Sequence, residues 1–233
     1  MIIKRIAEGF GKQDWFVVTL EVLIVILGVY LGIFIGEAQN KRQVQQEVNQ
    51  SLAVLLTQMK ADLVQLDEVI VAQEENRAHY QTAMNLIAED EVDLEALGNT
   101  IQVSYSNNRT FFPNESAYQS MRDVGSLAQI NDQELVLNIT VYFDSILERH
   151  ATNAFSSDQV NGELQRGVRD VFWDRRLGQF LGDDEMAKAR LWNGFRNLWG
   201  HSIYYHSILN DLVRPQLEET IAAIEGYLDD VAG

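Results

Sequence analysis

Polar and apolar positions divide the chain sharply. Residues 16–35 read FVVTLEVLIVILGVYLGIFI, twenty positions carrying a single ionisable group, Glu21. At about 1.5 Å per helical residue, such a run reaches roughly 30 Å, the thickness of a bilayer's hydrocarbon core. It is apolar on every face and flanked by polar sequence, which favours a membrane span over a buried core helix. Trp15 opens it where an amphipathic ring suits the membrane interface. Beyond residue 36 neither Gly nor Pro occurs until position 98, and the pattern changes character. Val44, Val48, Leu52, Leu55, Met59, Leu63, Leu66 and Ile70 follow in steps of three and four, the seam of one long amphipathic helix. Gln46, Lys60, Asp67 and Glu74 mark its opposite face. The seam can be covered by the helices that follow or by a second copy in a coiled coil.

The remaining pattern is also helical. A short acidic helix is expected over Glu91–Leu97, ended by Gly98-Asn99, with Thr100–Pro113 as an extended connection because Ile101, Val103 and Tyr105 alternate. Asn114 suits the N-cap of a helix over Glu115–Val124 that Gly125 closes. Asn131 with Glu134 resembles a capping box opening a helix to about Phe155. A further helix runs from Asp158 to about Trp173, and another from the Asp183-Asp184 pair to about Val213. Pro215 then fits the first turn of a last helix ending near Asp230. The expected fold is all-α: one N-terminal transmembrane helix continuing into a long helix, plus an extracytoplasmic helical bundle. The divisions are a short cytoplasmic N-terminus over residues 1–14, a span over 15–36 and a helical domain over 37–233.

A cleaved signal peptide competes with the retained anchor. Lys4, Arg5 and Lys12 supply a positive start, and Gly36 and Ala38 are spaced like a cleavage site. The apolar run nevertheless exceeds the usual signal core of about 7–15 residues, so the span is read as an anchor. The flanking bases favour a cytoplasmic N-terminus, since only Lys41 and Arg42 follow the span before Lys60.

Charge narrows the partners. The 233 residues carry 34 acids against 18 bases, a net charge of −16. Residues 1–42 hold 5 bases and 4 acids, which leaves 13 and 30, a net −17, for the rest. A nucleic-acid binder needs a dense basic patch, and this sequence offers none. Peripheral docking of the acidic domain on anionic headgroups is disfavoured for the same reason. With no Cys, thiol catalysis, disulfides and cysteine metal sites are excluded.

Within the span, Gly28, Gly32 and Gly36 recur every four residues and let another backbone come close. Glu21 lies seven residues before Gly28 on the same face, with Val25 between them. A carboxylate in this segment is less costly against protein than against lipid. Glu21, Val25, Gly28, Gly32 and Gly36 are therefore the expected helix–helix interface. A lone intramembrane acid also marks proton paths in other membrane subunits, so proton coupling through Glu21 stays open.

Chemistry is sparse elsewhere. His201 and His206 are five apart, a poor chelating spacing, and Glu75 with His79 forms an isolated helical pair. Trp173, Trp192, Trp199, Tyr204 and Tyr205 cluster late in the chain. They suit an aromatic core, or a partner-docking patch made of Trp192, Trp199 and Tyr204. The acidic runs Glu89-Asp90-Glu91 and Asp183-Asp184-Glu185 lack a calcium-loop pattern and read as solvated charge. No nucleophile elbow or phosphate loop occurs, so no catalytic residue, metal or cofactor is assigned.

Two stretches together resemble a known family. One runs from Glu21 to Gly32, an acid, six apolar residues and a glycine, with a small residue four further on. The other is AYQSMRDVGSLAQINDQELVLNITVY, Ala117–Tyr142. They resemble a bacterial family of single-span membrane proteins of unknown function, in which a G-E-I-x-L-V-V-x-G-I-L-I-A span leads into a long helix and a Y-x-x-L-x-x-x-G-x-L-x-x-I helix follows. The likeness covers about half the chain. This chain departs from it after the span, with Glu37-Ala38-Gln39-Asn40-Lys41-Arg42 where the family tends to show Asn-Asn-Trp-Asn-Glu. The resemblance implies a bacterial inner-membrane protein and supplies no activity.

The expected function is a non-enzymatic single-pass scaffold or accessory subunit. Its partners would be the bilayer, copies of itself or other membrane subunits, and no nucleic acid. The alternatives are an extracytoplasmic ligand sensor signalling through a partner, and a proton-coupled subunit using Glu21.

Overall fold

The computed structural model describes residues 15–167, 173–174, 179–180 and 185–232. Lys4, Arg5, Lys12 and the Asp183-Asp184 helix start lie outside them. The chain divides into two compact units, Met1–Val48 and Asn49–Gly233. Among the described residues the fold is all-helical, apart from one two-residue antiparallel pair.

Helix α1 runs unbroken from Trp15 to Ile87. In the first unit it carries an 18-residue window of mean hydropathy 2.3, none of it buried, long and apolar enough to cross a membrane. In the second unit its seam turns inward. Leu52, Leu55, Met59, Leu66 and Ile70 are buried within the chain itself, so the seam is covered intramolecularly. One position departs from the expected seam. Asp62 is buried and Leu63 is only half-buried.

Two long interrupted helices cover that seam. The first joins α4 (Gln133–Thr140), a wide π turn (Val141–Ile146) and α5 (Leu147–Gly167). The second joins α6 (Glu185–Ile208), a second π turn (Leu209–Val213) and α7 (Arg214–Ala232). Lys60–Glu225, Asp67–Arg214, Glu74–His206 and Tyr80–Phe195 link α1 to the second of these in opposite sequence directions, so the two are antiparallel. A cluster of Tyr80, Met84, Ile87, Leu97, Ile101 and Phe195 closes the end of the core where α1 finishes.

The π turns have a packing consequence. A wider turn lets consecutive residues face inward together. Tyr142 and Phe143 are both buried, with ring centroids 4.9 Å apart, and Tyr118 stacks on Phe143 at 4.3 Å. The second π turn ends two residues before Pro215, which lacks the N–H a regular helix would use. The helix therefore passes through Pro215 without the expected break.

Four other expectations are corrected. Helix α2 spans Leu94–Ser106, across the stretch expected to be extended. Asp93 caps it by accepting the Ala96 N–H at 3.0 Å, and Leu97, Ile101 and Ser104 share its buried side, so Gly98 lies inside the helix rather than ending it. The cap of α4 is Asp132, not Asn131: its Oδ1 takes the N–H groups of Glu134 and Leu135. No break separates Phe155 from Asp158, since α5 is continuous through both. Trp173 is not helical but pairs with Phe180 in the short ladder of β1 (Trp173–Asp174) and β2 (Gln179–Phe180). Helix α3 (Ser116–Asp123) lies close to expectation. Asn114 Oδ1 accepts the Ser116 N–H at 3.1 Å, and Gly125 leaves the helix at φ +74°, where glycine is favoured.

Candidate functional site

Two places merit functional attention. In the first unit, Glu21, Val25, Gly28, Gly32 and Gly36 all stand exposed on α1. A Cβ added at any of the three glycines would meet nothing within 4 Å. Each glycine inside a helix costs roughly 0.5–1 kcal/mol relative to alanine. No packing among the described residues requires that cost.

In the second unit, the segment Asn107–Glu115 between α2 and α3 forms an extended strap held almost wholly by side chains. It runs antiparallel to α1. Asn107 donates to Glu75 at 2.8 Å, Gln73 Nε2 donates to the Arg109 carbonyl at 2.7 Å, and the Arg109 guanidinium meets Glu68 at 3.2 Å. The Asn114 N–H donates to both carboxylate oxygens of Asp62 at 3.2 Å. Gln58 takes the Ala117 N–H at 3.0 Å just beyond the strap.

On the strap's other flank, Phe111 is clasped from two helices. Its N–H donates to Tyr205 Oη of α6 at 3.0 Å, and its carbonyl accepts from His150 Nε2 of α5 at 2.8 Å. Because a carbonyl only accepts, Nε2 carries the proton. His150 is 1% exposed and stacks on Tyr205, with centroids 5.8 Å apart. Thr110 adds a hydrogen bond to Asp158. The strap thus ties α1, α5 and α6 together.

Burial sets the electrostatics. It holds the His150 imidazole below its usual range, against the Phe111 carbonyl, which favours the proton. Burial likewise raises the Tyr205 phenol. The Asp62 carboxyl is pushed up to about 6 by burial, opposed by the Asn114 N–H. The folded chain therefore holds the Asp62 proton more tightly than the unfolded chain does. Stability contributed by this group is full below about pH 4 and falls as pH rises toward 6. Asp62→Asn keeps an acceptor for Asn114 and removes the titration. The expected outcome is a variant that gains melting temperature over the wild type as pH rises between those limits. A pH-independent difference would contradict it.

The residues of the possible aromatic docking patch stand in three different settings. Trp192, 38% exposed, edges a cleft of about 310 Å3 lined also by Ile87, Glu89, Asp90 and Lys188. Trp199 is half-buried, packing on the Tyr80–Phe195 cluster beneath the Arg196 guanidinium, 4.4 Å from its ring centroid. Tyr204 is 55% exposed and lies about 140° around the helix from Trp199. His206 pairs with Glu74 at 3.1 Å, and Glu75 is taken by Asn107 rather than by His79. Among the described residues, no three His, Asp or Glu side chains could share a metal ion.

Asp62, Phe111, His150 and Tyr205 were not singled out as site residues by the sequence. The family model for a family of unknown function, DUF6090, matches residues 21–172, more than half of the chain. No curated protein and no solved structure matches. The match takes in Glu21 and the span glycines, the strap and His150, and it stops short of Tyr205. By that match, the chain belongs to the DUF6090 family of unknown function.

Proposed function

We propose that this protein is a non-enzymatic, single-pass membrane scaffold or accessory subunit. Its span packs against a copy of itself or a subunit of a larger membrane complex, and its acidic helical domain lies outside the cytoplasm and engages proteins there. The observation that carries the reading is the uncovered face of Glu21, Val25, Gly28, Gly32 and Gly36, where three helix-weakening glycines serve no contact among the described residues. Close backbone approach by a neighbouring helix is the arrangement that uses glycine there. The same approach would shelter Glu21 from lipid. In the strap, the polar groups of Asp62, His150 and Tyr205 are committed to backbone partners, which suits a structural clasp better than turnover.

Gly32→Leu in the full chain, purified in mild detergent, tests it. The expected result is a smaller assembly, or loss of the co-purifying membrane subunit, with the circular-dichroism spectrum unchanged. An unchanged assembly size together with an unchanged partner set would overturn the reading.

A further inference from the structure

We propose that the Phe111 clasp is an acid-operated latch: proton uptake by His150 frees the strap from α5 and α6, while the Asp62 anchor holds its other end. The geometry makes the two anchors respond differently to a proton. His150 Nε2 already gives its hydrogen to the Phe111 carbonyl, so a second proton must go to Nδ1. That nitrogen is buried and has no partner among the described residues. Its ring neighbours are Phe111, with centroid 5.4 Å away, and Tyr205. Neither phenylalanine nor a neutral phenol bonded to the Phe111 N–H offers a counter-charge.

The charged groups around this cluster are engaged elsewhere. Asp158, on the same helix, holds Thr110. Glu74 of α1 holds His206, one residue past Tyr205 on α6. Glu68 of α1 holds Arg109, two residues before Phe111. A buried imidazolium here has an unsatisfied N–H, and the ring finds an acceptor only by leaving its place beside Phe111.

Asp62 behaves oppositely. A protonated carboxyl keeps a carbonyl oxygen that accepts the Asn114 N–H, so acid leaves that anchor in place. Pro113 separates the two anchors. It has no N–H and a fixed φ, so motion at Phe111 is not passed on through a hydrogen bond at position 113. Release uncovers the Phe111 ring next to Phe112, which is already exposed, and creates an apolar surface that is absent at neutral pH.

Residue-resolved hydrogen exchange on the full chain in mild detergent tests this, read as protection factors at about pH 7.5 and about pH 5. The Phe111 amide is expected to lose about tenfold in protection for each pH unit below the free-imidazole value of about 6.5, until His150 is fully charged, while the Asn114 amide keeps its own. In His150→Gln, whose side-chain amide donates to the same carbonyl and does not titrate, Phe111 protection should hold at both pH values. Equal wild-type protection at both pH values would overturn the latch, as would an identical loss in His150→Gln or a parallel loss at Asn114. Should His150→Gln fail to fold, the wild-type imidazole resonances decide. A Phe111 protection that reaches its floor where His150 completes its titration supports the latch, and a floor reached at a different pH overturns it.

Discussion

Phe111→Ala is expected to lower unfolding free energy by about 3–5 kcal/mol, the usual range for removing a buried phenylalanine ring. The ring is fully buried. It touches His150 from α5, and the Phe111 N–H is held by Tyr205 from α6. Alanine keeps the backbone N–H and carbonyl, so both clasp hydrogen bonds remain possible. The loss then reports packing and cavity alone. Urea titration of the detergent-solubilised chain, followed by circular dichroism, measures it from the shift in midpoint at constant slope. A loss below about 1 kcal/mol would mean that the ring is not seated between these helices.

The second large effect has the opposite sign. Asn76 is fully buried on α1, and neither its Oδ1 nor its Nδ2 has a partner among the described residues. It lies on the face that also buries Gln73 and Tyr80. Burying an unpaired amide costs about 1–3 kcal/mol by protein mutational data. Leucine is close to asparagine in length and carries no polar atom. Asn76→Leu is therefore expected to raise unfolding free energy by about that amount, in the same urea titration. A destabilised variant would refute the assignment of Asn76 as an unsatisfied core group. In that event the amide would be bonded in solution.

Much of the fold was legible because helical periodicity is local. The three- and four-residue steps from Leu52 to Ile70 identify the buried face of α1, and the uninterrupted apolar run identifies the span. Where expectation failed, a local signal was overruled by its neighbours. Gly98 looked like a terminator, yet Asp93 had already started a helix whose apolar face continues to Ile101. Asn131 looked like a cap, but Asp132 takes the amides. The two π turns have no sequence signature that periodicity alone detects.

The strap was illegible for a different reason. Its backbone is satisfied by Asp62, Gln73, His150 and Tyr205, which are 36 to 94 residues away. No spacing rule links such partners. A faint signal existed for two of them. Asp62 sits three residues after Met59 and four before Leu66, on the seam itself, and His150 follows Leu147 by three and precedes Ala154 by four. A polar residue on an apolar stripe was the visible mark of a buried anchor.

The clasp also dictates an order of events during synthesis. The chain emerges N-terminus first. Phe111 leaves the ribosome 39 residues ahead of His150 and 94 ahead of Tyr205. Its backbone must stay hydrated until both arrive, so the nascent protein completes its hydrogen-bond inventory at position 111 only once α6 has been made.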